Sequence, residues 1–72
     1  MMSRMESINL TVNGMTCRHC ELRVTAALAQ LDGVAQAKAS AKDNLVQVGF
    51  DADRLDIGQL REAIEDAGYQ VP

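Results

Sequence analysis

Aromatic residues, proline and histidine are scarce in this chain of 72 residues, and their scarcity limits what the chain can be. Phe50 and Tyr69 are the only aromatic residues, tryptophan is absent, and the only proline is Pro72. The hydrophobic core must therefore be built from aliphatic side chains and methionine. No apolar run approaches the roughly 20 residues that span a bilayer, so we expect no direct membrane insertion.

The amino-terminal stretch MMSRMESINLTVNG has no apolar run long enough to form the core of a signal peptide. The chain begins with Met1, as expected of an unprocessed protein, and the reducing cytoplasm is its expected location. A chain of this length forms at most one small domain. We expect that domain to cover 1–72, with 1–6 as a frayed lead-in.

The net charge of −3 argues against non-specific binding to nucleic acid. The charge is unevenly distributed. Residues 1–42 carry five basic and three acidic side chains, a balance of +2, whereas residues 43–72 carry two basic and seven acidic ones, a balance of −5. A solvated acidic surface explains this best, and a face that orients a basic partner is the alternative.

Alternation of apolar and polar residues predicts four β-strands. They lie near 8–12, 34–40, 46–50 and 69–71. The alanine-rich second stretch is a weak strand former, so its assignment depends on its neighbours. Lys42-Asp43-Asn44 is typical of a hairpin turn between the second and third strands.

Apolar spacing of three and four residues predicts two helices between these strands. The first begins near the cysteines, with Thr16 or Cys17 near its N-cap, and ends at Asp32-Gly33. The second begins with the capping-box pair Asp56 and Gln59 and is closed by Gly68. The order β-α-β-β-α-β predicts an α+β ferredoxin-like sandwich, in which a four-stranded antiparallel sheet carries two helices on one face.

The heptapeptide GMTCRHC, residues 14–20, holds both cysteines and the only histidine. A closed zinc site needs four ligands, and these three residues of one tetrapeptide cannot supply them. A thiol-disulfide centre also uses C-x-x-C at a helix start, where thiol pKa values fall. Such centres are typically found in longer chains, with a proline inside the motif and a cis-proline facing it. Cu(I) needs fewer ligands than a closed zinc site, because it accepts two or three. As a soft ion it also prefers thiolates.

GMTCRHC resembles the GMxCxxC signature of heavy-metal-associated domains. The similarity continues through LDGV (31–34), VGFD (48–51) and LREAIEDAGY (60–69), and it covers about 7–72. Within this family, the histidine between the cysteines and the tyrosine at 69 are most similar to bacterial copper chaperones of the CopZ type. The resemblance implies the same ferredoxin-like fold.

The resemblance also implies the cargo, its ligands and its destination. Cys17 and Cys20 are the expected metal ligands, and Cu(I) is the expected metal. The implied role is a copper metallochaperone that delivers Cu(I) to the metal-binding domain of a copper-transporting P-type ATPase by thiolate exchange. A copper-bridged homodimer is a further expectation. No substrate bond is broken in such a transfer, so we do not expect an enzyme.

Three residues near the cysteines are interpreted as supporting residues and not as primary ligands. Met15 resembles a family residue that points inward, and a buried methionine is more often core than ligand. His19 either tunes the charge of the thiolates near neutral pH or is simply exposed to solvent. Two roles are open for Tyr69. Its hydroxyl lies near the thiolates, or its ring only covers the end of the sheet.

Three alternatives remain open from sequence. The first is a metal-binding domain excised from a copper ATPase. The second is a carrier of Zn(II), Cd(II) or Hg(II), and the third is a thiol-disulfide oxidoreductase. Zinc-type members tend to have a carboxylate near the motif, and Glu21 is the only one adjacent to it.

Overall fold

Two helices and three strands form an α+β fold in the computed structural model, which describes residues 4–72. In chain order they are β1 (Met5–Thr11), α1 (Arg18–Ala29), β2 (Val34–Ser40), β3 (Leu45–Asp51) and α2 (Ile57–Asp66). The sheet is antiparallel in the order β1-β3-β2, so the central strand β3 pairs with both others. This is the predicted ferredoxin-like arrangement, with a difference in the fourth strand.

The predicted strand at 69–71 is reduced to an isolated bridge between Gln70 and Asn13. Each of these two residues donates its backbone N–H to the carbonyl of the other, at 2.7 and 3.0 Å. Pairing does not continue towards Thr11, because the next hydrogen-bonded pair of an antiparallel ladder would involve Pro72, which has no N–H. The segment nevertheless lies beside the end of β1, where the cysteine motif begins.

The hydrophobic core lies between the sheet and the two helices. The inward-facing residues of β3 and the apolar stripes of both helices are at most 1% exposed. They are Val24, Leu28, Val46, Val48, Phe50, Leu60 and Ile64. Both helices therefore cover the same face of the sheet, and the core is aliphatic apart from Met15, Phe50 and Tyr69.

The ends of the elements differ in places from the sequence expectation. Of the lead-in expected over 1–6, residues 1–3 lie outside the described residues, whereas Met5 and Glu6 pair with β3. Helix α1 ends earlier than Asp32-Gly33, with Gln30 as its C-cap. The capping box of α2 is confirmed. Neither helix of the described chain is long and apolar enough to cross a membrane.

Candidate metal site

The loop from Val12 to Cys17 joins β1 to α1 and is fixed at its start by two neighbouring segments. The Val12 N–H donates to the Asn44 carbonyl at 2.8 Å, and Asn13 forms the bridge to Gln70. Gly14 follows with a φ of 103°, in the region that favours glycine. The loop thus turns away from β1 and towards the first turn of α1.

Cys17 and Cys20 lie on either side of the start of α1. Cys17 is the N-cap, in extended conformation, and no side chain caps the helix there. Cys20 is in the first helical turn. The two sulfur atoms are 3.7 Å apart, with the Cys17 thiol donating to Cys20 Sγ, and neither cysteine is in a disulfide. Since metal–sulfur bonds are about 2.3 Å long, one ion between the sulfurs can contact both.

Exposure distinguishes the two thiols. Cys17 is exposed to solvent, whereas Cys20 is half-buried and packs against the hydrophobic core. An incoming group therefore reaches Cys17 more easily. Cys20, held by the helix, is the more fixed of the pair.

Hydrogen bonds lower the pKa of the Cys20 thiol from 9.0 to about 6. The largest contribution is a hydrogen bond with the backbone of Thr16, followed by hydrogen bonds with the side chains of Tyr69 and Cys17. Each stabilises the thiolate, and together they outweigh the opposing effect of burial. At neutral pH, Cys20 is therefore mostly a thiolate, the form that binds metals.

Thr16 acts on the thiolate and does not cap the helix. Its hydroxyl lies 3.9 Å from Cys20 Sγ, and the N-cap position belongs to Cys17. Of the two N-cap residues proposed from sequence, Cys17 is therefore the one observed.

Tyr69 is 8% exposed, and a hydrogen bond between its side chain and Cys20 contributes to the pKa shifts of both groups. This hydrogen bond is the largest of the effects that raise the pKa of Tyr69, and burial also contributes. A side-chain carbon on Gly14 would lie 3.4 Å from the tyrosine ring, so the loop packs closely on it. The ring of Tyr69 thus belongs to the core, next to the loop that carries the cysteines.

Met15 and His19 occupy opposite environments. Met15 is 3% exposed and belongs to the core cluster beneath the loop. His19 is exposed on the first turn of α1. Within residues 4–72, no group of three or more histidine, cysteine, aspartate or glutamate side chains is placed to hold a metal ion. The donors brought together here are the two sulfurs.

Glu21 has a partner that the sequence does not reveal. Its carboxylate accepts a hydrogen bond from the Ala41 N–H at 2.6 Å, which joins α1 to the turn after β2. Sequence reasoning considered Glu21 only as an added carboxylate beside the motif. The two partners are 20 residues apart in the chain, so no local sequence pattern predicts this contact.

Comparison with known proteins places these features in a family. Residues 9–70 match the model of the heavy-metal-associated domain. The copper chaperone CopZ of Staphylococcus haemolyticus is 45% identical over 62 residues, which cover 86% of this chain and 91% of the relative.

Two solved structures show the same fold. A CopZ metallochaperone superposes with a TM-score of 0.91 at 37% identity, covering 93% of this chain and all of the other. The Cu(I)-loaded N-terminal domain of a potential copper-translocating P-type ATPase from Bacillus subtilis has a TM-score of 0.87 at 28% identity, covering 93% of this chain and 84% of the other. Since the family model matches most of the chain, this protein belongs to the heavy-metal-associated domain family.

Proposed function

We propose that this protein is a Cu(I) metallochaperone that holds copper between Cys17 and Cys20 and passes it to a copper-transporting P-type ATPase. The observation that carries the proposal is the pair of free sulfurs, 3.7 Å apart at an exposed helix start. The similarity to copper chaperones over most of the chain supports it. In this proposal residues 1–72 act as one domain in the cytoplasm and catalyse no reaction.

The donor set favours a soft monovalent ion. Thiolates select Cu(I) over hard cations, and two of them satisfy its low coordination requirement. The start of α1 stabilises their negative charge, because its first backbone N–H groups carry no side-chain cap. Met15 supports the loop from below, Tyr69 stabilises the Cys20 thiolate, and His19 stands at the solvent edge of the site.

Transfer proceeds by exchange of thiolates without any change in the oxidation state of copper. A partner thiolate binds the copper ion first, and the bond from copper to the exposed Cys17 then breaks. A second partner thiolate replaces Cys20 in the same way. After its sulfur leaves the metal, Cys20 remains mostly a thiolate at neutral pH.

The surface around the site suits a protein partner. Leu22 is 60% exposed on α1, and Arg18 and Arg23 are exposed near it. An apolar side chain with cationic neighbours fits a partner that offers an apolar contact and carboxylates. The metal-binding domain of a copper ATPase is the proposed recipient, and a second copy of this chain sharing copper is a further arrangement that the exposed thiol permits.

The decisive experiment is an anaerobic titration of the reduced protein with Cu(I) against a strong Cu(I) chelator, with Zn(II) titrated in parallel. We expect one Cu(I) per chain and much weaker binding of Zn(II). The variants Cys17→Ser and Cys20→Ser each lose one of two donors and should lose most of the affinity. Zn(II) binding as tight as Cu(I) binding would reject the proposal in favour of a zinc-type carrier.

The order of exchange is tested with the same two serine variants and a purified ATPase metal-binding domain. Because Cys17 is the exposed thiol, Cys17→Ser should slow the first contact with the partner more than Cys20→Ser does. The opposite pattern of defects would contradict this order.

A thiol-disulfide oxidoreductase is the second candidate, favoured by the close sulfurs and the lowered pKa of Cys20. Reduction of insulin by dithiothreitol separates the two functions. Measurable turnover together with no Cu(I) binding would support the oxidoreductase, whereas a copper carrier should not accelerate the reaction.

A further inference from the structure

The turn between β2 and β3, residues Ala41 to Asn44, contacts the chain on both sides of the cysteine motif. The Asn44 carbonyl accepts a hydrogen bond from the Val12 N–H, where the loop leaves β1. The Ala41 N–H donates to the Glu21 carboxylate, directly after Cys20. One turn therefore anchors both ends of the segment that carries the two sulfurs.

We propose that Glu21 is a positioning residue for this site: its carboxylate ties the first turn of α1, and with it Cys20, to the β2–β3 turn. The inference depends on the proposed role of Cys17 and Cys20 as metal ligands. Glu21 touches neither the cargo nor the sulfurs. It acts on the site by fixing the helix turn on which Cys20 stands.

The hydrogen bond is well suited to this role. At 2.6 Å it is a short hydrogen bond, from a backbone N–H to a carboxylate oxygen. Glu21 is half-buried, which limits competition from water. The backbone carbonyl of Glu21 also accepts a hydrogen bond from the Thr25 hydroxyl at 3.1 Å.

The β2–β3 turn is itself held in shape, so it can serve as a fixed support. The Asp43 N–H donates to the Ser40 hydroxyl, and that hydroxyl donates to the Asp43 carboxylate at 3.2 Å. Asn44 takes a φ of 54°, a conformation that asparagine tolerates better than most residues. The two strands that the turn joins are both paired in the sheet.

Anchoring both ends of the motif limits how far the sulfurs can drift apart. Without the Glu21 contact, the first turn of α1 loses its hydrogen bond to the β2–β3 turn, and the distance between the sulfurs becomes more variable. Metal binding must then also order the two sulfurs, and the conformational entropy lost in doing so weakens the affinity. Glu21 thus contributes to metal affinity through the geometry of the sulfurs, and its carboxylate is engaged away from them.

The test compares Glu21→Ala, Glu21→Gln and the control Glu62→Ala in the same Cu(I) competition titration. Glutamine keeps a side-chain oxygen that can accept from Ala41. Glu62 is exposed on α2 and makes no hydrogen bond or ion pair among residues 4–72, so its replacement removes an equal charge without this contact. All variants are measured where circular dichroism shows them fully folded.

We expect Glu21→Ala to weaken Cu(I) binding about tenfold, the lower end of what loss of an outer-shell partner costs. Glu21→Gln should recover most of the affinity, and Glu62→Ala should match the unmodified chain. Unchanged affinity in folded Glu21→Ala would overturn the proposal. So would equal losses in Glu21→Ala and Glu21→Gln, since these would indicate an effect of charge alone.

A second measurement needs no variant and applies even if Glu21→Ala does not fold. If site and turn are coupled, loading with Cu(I) must stabilise the contact in return, because coupling is reciprocal. Amide hydrogen exchange at Ala41 should therefore slow when Cu(I) is bound, and unchanged exchange would overturn the proposal. Failure of the unmodified chain to bind Cu(I) would instead reject the proposed function, so the two failures are distinct.

Discussion

At the scale of single residues, Cys17 and Cys20 differ in what surrounds their sulfur atoms. Cys20 receives hydrogen bonds from Thr16 and Tyr69 and is half-buried, whereas Cys17 is exposed at the helix start. The chain thus offers one sulfur that is stabilised as a thiolate, that of Cys20, and one that is accessible to solvent, that of Cys17. This division suits a site that must both retain a metal ion and release it to another thiol.

Alkylation of Cys20 should show a midpoint near pH 6, because thiolates react and thiols do not. Tyr69→Phe removes a hydrogen bond that stabilises the thiolate, so it should move the midpoint to higher pH. The rate with iodoacetamide is followed by mass spectrometry after digestion with trypsin. Cleavage after Arg18 and Arg23 gives a peptide that contains Cys20 but not Cys17.

Two outcomes would contradict this prediction. A midpoint near 9 in the unmodified chain would mean that the hydrogen bonds do not stabilise the thiolate in solution. An unchanged midpoint in Tyr69→Phe would mean that the hydroxyl does not act on Cys20.

At the scale of elements, the two helices begin differently. The side chain of Asp56, the N-cap of α2, accepts a hydrogen bond from the Gln59 N–H at 2.9 Å, and the Asp56 N–H donates to the Gln59 side-chain oxygen at 3.0 Å. Helix α1 begins at Cys17 without a side-chain cap. The free backbone N–H groups at the start of α1 therefore remain available to stabilise negative charge on the sulfurs.

Asp56→Ala should lower the free energy of unfolding by about 1 kcal/mol, the usual cost of losing an N-cap. Asp56→Asn keeps a capping oxygen and should cost much less. Cu(I) affinity should not change in either variant, because the ten residues of α2 place its start about 15 Å from its end near Tyr69. Urea denaturation and the Cu(I) titration measure the two quantities, and a drop in affinity would show that the helices are coupled to the site.

The elements also show where sequence reasoning succeeds. The capping box of α2 and the alternating core positions of β3 depend on neighbours within a few residues, so their signals are local. The contact of Glu21 with Ala41 and the bridge of Asn13 to Gln70 join residues far apart in the chain. Both depend on how the elements pack, and no local pattern encodes them.

The predicted fourth strand shows another limit of prediction from local sequence patterns. Burial of Tyr69 and Val71 on either side of the exposed Gln70 fits the alternation on which the strand was predicted. Alternation describes which side chains are buried, whereas a strand also needs a continuous ladder of backbone hydrogen bonds. Pro72, which would enter the next hydrogen-bonded pair, has no N–H, so the ladder stops after one pair.

At the scale of the whole molecule, stability depends on a small aliphatic core. A domain of this size buries about 60% of the surface that its unfolded chain exposes, so each core side chain carries a large share of the total. Leu28 is fully buried in α1, whereas Leu22 in the same helix is 60% exposed. The same substitution at these two positions separates the contribution of the core from that of the helix.

Leu28→Ala should lower the free energy of unfolding by about 2–5 kcal/mol, whereas Leu22→Ala should change it by less than about 0.5 kcal/mol. Cu(I) should raise the melting temperature of Leu28→Ala, because ligands that favour the folded form stabilise it. Thermal denaturation with and without Cu(I) measures both effects. Similar losses in the two variants would mean that Leu28 does not anchor the core.

Cys20 also links the folding of the metal-free domain to pH. Its pKa is 9.0 in an unconstrained chain and about 6 in the fold, so between these values the unfolded chain holds a proton that the folded domain has released. The free energy of unfolding therefore rises with pH across this interval. The contribution is fully present above pH 9 and is lost as the pH falls through 6. The hydrogen bonds that prepare the thiolate for metal thus also favour the folded state before any metal arrives.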